Sequence, residues 1–65
     1  MCGIEDIAES AIAEMLQPDG SITTDPSAKS RALRLIGDLV DERLVRSAHR
    51  VVRRLHPDVA NALTI

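Results

Sequence analysis

Arg43, Arg46, Arg50, Arg53 and Arg54 crowd into a single short stretch of this chain. A guanidinium is a permanent cation with a planar fork of N–H donors, suited to gripping carboxylates and phosphates two bonds at a time. The chemistry these residues offer is therefore the recognition of anions. At roughly 100° per residue all five fall on one arc of a helix. Like charges three and four residues apart repel by about 0.2–0.5 kcal/mol per pair. Within the helix only Glu42, four residues before Arg46, offers relief. Something acidic is expected beside the stripe, and three sources qualify. They are Glu5, Glu9 and Glu14 of the same chain or a symmetry mate, an acidic surface on another protein, and nucleic-acid phosphate.

Other groups with chemical potential fall short of a site. Met1-Cys2-Gly3-Ile4 resembles the start of the class II glutamine amidotransferases, whose processed N-terminal cysteine attacks a glutamine amide. The resemblance ends after four residues, because Glu5-Asp6 open a helix where that family continues in a strand. Asp19-Gly20-Ser21-Ile22-Thr23-Thr24 resembles the second half of an EF-hand loop. In that register Met15, Gln17 and Pro26 occupy positions where calcium needs oxygen ligands and a closing carboxylate. His49 and His56 stand two turns apart, with Cys2 the only soft donor, so a zinc site lacks its four ligands. Glu9 and Glu14 show no pairing with a base, and there is no glycine-rich phosphate loop. Leu63-Thr64-Ile65 has the apolar-x-apolar form that some PDZ domains capture, but packing of this tail on the body is the expectation. No catalytic residue, metal ligand or cofactor site is expected, and the chain reads as a non-enzyme.

The elements that must position the arginines follow from apolar periodicity. A first helix over residues 4–17 carries Ile4, Ile7, Ala8, Ala11, Ile12, Met15 and Leu16 on one side, and Pro18-Asp19-Gly20 turn the chain. Ile22 is expected to plug the edge of the core or pair with a second copy. A second helix over 26–36 opens with Asp25 as N-cap and Pro26 in its first position. The apolar stripes of residues 28–39 and 44–55 differ in phase by roughly 150°, so one straight helix cannot bury both against the same neighbour. Gly37 is read as the stop and Asp38 as the cap of a third helix over 38–56; the rival is one continuous helix from 26 to 56. Leu44, Val45, Ala48, Val51, Val52 and Leu55 form the seam of the third helix, alternating three and four apart as in helix pairing. Pro57 ends it. Residues 58–63 are expected to add one turn, with Val59 and Leu63 docking on the core.

These elements make a small all-α domain of three helices. The chain has 65 residues and no Phe, Tyr or Trp. Its core must come from aliphatic side chains, and such small cores sit near break-even against chain entropy. One cysteine allows no internal disulfide, so a homodimer is expected. No stretch approaches the ~20 apolar residues that span a bilayer, and the N-terminus lacks the pattern of a signal peptide. A lone thiol fits a reducing compartment, hence the cytoplasm. Residues 1–25 contain six acids and no base, whereas all eight Lys and Arg follow. Such asymmetry is a mark of partners. The leading reading is an interaction module that binds another protein, such as a bacterial or phage regulator or inhibitor. A DNA-binding regulator using the five arginines is the alternative, and a structural assembly subunit is a third. Against DNA, a helix-turn-helix centred on Gly37 would place Leu33, Asp38, Arg43 and Arg46 where small and apolar residues belong. The absence of aromatic residues excludes single-strand binding by base stacking.

Overall fold

The computed structural model describes residues 3–39 and 41–64. Its first helix, α1, runs Ile4–Met15, and Asp6 reaches back to accept from the Gly3 backbone N–H at 3.2 Å. That contact satisfies an orphan donor of the first turn and brings a carboxylate to the positive end of the helix. The helix ends two residues earlier than its periodicity suggests. Leu16 turns extended, with φ −94° and ψ 136°, and makes an antiparallel bridge with Ile22. Pro18 opposes helical geometry at Gln17. Around the turn, Gly20 adopts φ 88°, which glycine reaches without steric cost. Ile22 packs against the core from the loop, as the first of its two expected roles requires.

The second helix, α2, runs Pro26–Gly37, and the Asp25 carboxylate accepts from Ser27 N–H at 2.9 Å. Its end corrects one expectation. Asp38 is not the cap of the next helix; it is the C-cap of this one, right-handed in conformation, with its N–H bonded to Arg34 O at 2.9 Å. The third helix, α3, runs Glu42–Leu55, and Asp41 caps it by accepting from Arg43 N–H at 2.9 Å. Pro26–Gly37 and Glu42–Leu55 are thus two separate helices, not one continuous helix. The separation lets each stripe turn toward its own neighbours, which the phase difference demands.

His56 joins α3 to a fourth helix, α4, Pro57–Ala62. Its N–H closes α3 onto Val52 O at 2.8 Å, while its Nδ1 accepts from Val59 N–H at 3.3 Å and caps α4. The expected single turn is therefore a short helix, and the described residues form four helices rather than three. Val59, Ala60 and Leu63 are all buried, which explains how six residues hold a helix that would melt in isolation.

Among the described residues the buried core is wholly apolar: Ala8, Ala11, Ile12, Met15, Ala28, Ala32, Ile36, Ala48, Val52, Val59, Ala60 and Leu63. Half of these are alanine, and Met15, Ile36 and Leu63 are the largest of the fully buried side chains. The Cα radius of gyration is 10.8 Å, against about 11 Å for a compact chain of this length. Among the described residues, no helix is long and apolar enough to cross a membrane.

A candidate interaction surface on the third helix

The helix that carries the arginines buries only the middle of its seam. Ala48 and Val52 are buried, and Val45 and Val51 are partly so, but Leu44 is 38 % and Leu55 45 % exposed. The two leucines differ by about 20° around the helix axis, so they mark one edge of the seam. Beyond that edge lie Ser47 and then the arginines. All five arginines are exposed, as the helical wheel requires.

The structure separates the five by what each one meets. Arg54 Nη2 lies 3.3 Å from Glu5 Oε1, joining the last turn of α3 to the first turn of α1. Arg43 Nη2 stands 3.6 Å from Asp41 Oδ2, the carboxylate that caps its own helix. Arg53 is also engaged. Arg46 and Arg50 have neither an ion pair nor a side-chain hydrogen bond among the described residues.

The acids expected to serve the stripe do so only in part. Glu5 meets Arg54, but Glu14 pairs with Arg31 of α2, its Oε2 3.0 Å from Nε. Glu9 stands one turn inward from Glu5 on α1, as Arg50 does from Arg54 on α3, yet they do not meet at ion-pair distance. Glu42 does not reach Arg46 either. The Glu14–Arg31 pair spans 17 residues and joins two helices, so no local spacing announced it.

The remaining motifs take structural places. Met15, the residue at the first ligand position of the calcium-loop register, is buried in the core. Asp19 organises the turn instead: its Oδ1 accepts from Ser21 N–H at 2.9 Å and from the Ser21 hydroxyl at 2.6 Å. These two bonds, the hydroxyl first, hold the Asp19 carboxyl below its ordinary value. His56 uses Nδ1 as a helix cap, and among the described residues no group of three or more His, Cys, Asp or Glu is placed to hold a metal. Leu63 of the terminal apolar-x-apolar motif is buried; Ile65 of that motif lies outside the described residues, as do Met1 and Cys2 of the amidotransferase-like start.

A shallow pocket of about 360 Å³ lies where Met15, Thr23, Pro26, Lys29 and Ala62 converge. Its polar groups are already occupied in part: Asp25 caps α2, and Thr23 Oγ1 accepts from Asp25 N–H at 3.1 Å. The α3 surface is the better candidate, because it combines exposed apolar side chains with Arg46 and Arg50, which have no ion-pair partner among the described residues.

No protein-family model matches this chain, no curated protein matches its sequence, and no solved structure matches its fold.

Proposed function

We propose that this chain is a non-enzymatic interaction module whose α3 face binds an acidic surface of another protein, in the manner of a small regulator or inhibitor. One observation carries the reading. Arg46 and Arg50 sit one turn apart, exposed and without an acidic partner among the described residues. No acid among the described residues relieves their mutual repulsion, and carboxylates of a partner would relieve it while gaining charge-assisted hydrogen bonds. Homodimer assembly belongs to the same proposal. It is supported by the small aliphatic core and by Leu35 of α2, 39 % exposed on a different helix from the arginines. The single thiol suits work in the cytoplasm.

The test is co-purification from the native host after nuclease treatment, with the wild type compared with the Arg46→Ala/Arg50→Ala variant. A defined protein that is retained by the wild type and lost by the variant supports the reading. Two results would replace it. Tight duplex binding that weakens steeply with salt would favour the DNA-binding regulator. Large concentration-dependent assemblies in light scattering, with no bound partner, would favour a structural subunit.

A further inference from the structure

Leu44, Val51 and Leu55 fall within about 40° of one another around α3. Their spacings of seven and four place them on a line about 16 Å long, close to three helical turns. On one side of the line the seam dips into the core at Ala48 and Val52. On the other side lie Ser47 and then Arg54, Arg43, Arg50 and Arg46. The result is an apolar edge, open to solvent at both ends, with cations along one flank.

We infer that this edge seats an amphipathic helix of a partner protein, with apolar residues along one line and carboxylates along one flank. The inference rests on the interaction-module reading and adds the form and register of what binds. Straightness and length favour a helix, because a partner helix presents apolar side chains at matching intervals of three and four over the same three turns. Charge selects the occupant. A second copy laid antiparallel on the same line would bring both arginine flanks to the same side, where like charges oppose association. A parallel copy would drive its arginines against the side of α3 that its partner's own body covers. A helix with acids along its flank meets neither obstacle. The chain contains its own example of the chemistry, since acidic, amphipathic α1 packs beside α3 and closes the contact with Glu5 on Arg54 at 3.3 Å. Nucleic acid would use the arginines but leave the leucines idle.

The experiment titrates the full chain into a fluorescein-labelled synthetic helix carrying leucines along one line and glutamates along the adjoining flank. A second peptide with lysine in place of each glutamate serves as the control. Saturable binding of the acidic peptide is expected, with none for the basic one. Leu44→Ser/Leu55→Ser and Arg46→Ala/Arg50→Ala, both verified as folded by circular dichroism, should each weaken it about tenfold, a change of about 1.4 kcal/mol. Absence of saturable binding, or equal binding of the two peptides, overturns the inference. Loss with the arginine variant but not the leucine variant overturns the helical seat and leaves the interaction module standing. Binding indifferent to the arginines overturns both. A wild type that sediments as a dimer, and that the leucine pair of substitutions dissociates, assigns the edge to a second copy and overturns the inference as well.

Discussion

Glu5 in the first turn of α1 meets Arg54 in the last turn of α3 at 3.3 Å, so opposite ends of two helices far apart in sequence are joined by one ion pair. The carboxylate and guanidinium side chains are 71 % and 66 % exposed, which sets the size of the effect. Exposed pairs of this kind are worth about 0.2–1 kcal/mol. A double-mutant cycle of Glu5→Gln and Arg54→Gln, read by urea unfolding, should return a coupling in that range that shrinks as salt is added. A coupling well above it would mean that the pair is shielded from water.

Two aspartates flank the α2–α3 connection, and only one caps α3. Asp41→Ala should destabilise the chain by about 1 kcal/mol, since Arg43 N–H loses its acceptor. Asp38→Ala should stay within about 0.5 kcal/mol, because the Asp38 contacts at the end of α2 are made by its backbone. Equal losses in denaturant titrations would contradict the placement of the cap.

Leu55 and Leu63 are eight residues apart and should respond very differently to truncation. Leu63→Ala leaves a cavity in the core and should cost about 2–5 kcal/mol, enough to unfold much of so small a domain. Leu55→Ala removes a side chain that is 45 % exposed and should cost less than about half as much. Thermal unfolding of the two variants side by side decides it, and a Leu55 loss matching that of Leu63 would place Leu55 inside.

The Ser21 hydroxyl and amide hold Asp19 below the ordinary aspartate value of 3.8. A carboxyl whose folded-state pKa is depressed stabilises the fold above its unfolded value and loses that contribution as pH falls through the folded one. The turn should therefore be intact near neutrality and loosen only in acid below about pH 4. In an NMR titration, Ser21→Ala should return the Asp19 carboxyl toward its ordinary value; an unchanged midpoint would show that another group sets the shift.

Periodicity made three of the four helices legible, and Pro18, Asp25-Pro26 and Pro57 marked where they begin or end. The 150° phase difference between stripes foretold the break between α2 and α3, yet it could not choose between Asp38 and Asp41. Both are competent caps, and the choice depends on how much chain is needed to redirect a helix. The fourth helix was visible only as two apolar residues, because what stabilises so short a helix is burial of Val59, Ala60 and Leu63, a tertiary effect. The arginine stripe was equally plain in the sequence. Which arginines find acids was not, because Glu14 turns to Arg31 on α2 and only the packing of helices decides that.

The alanine-lined interior also shapes how this chain can change over generations. At Ala8, Ala11, Ala28, Ala32, Ala48 and Ala60 almost every available replacement is bulkier than the methyl it displaces. Extra volume in a tight core costs about 1–3 kcal/mol, a heavy toll for a domain of this size. Tolerated variation is thereby steered outward, onto the faces where the arginines and the exposed leucines stand. Descendants of this chain should keep their interior nearly fixed and diversify on the outer faces of their helices.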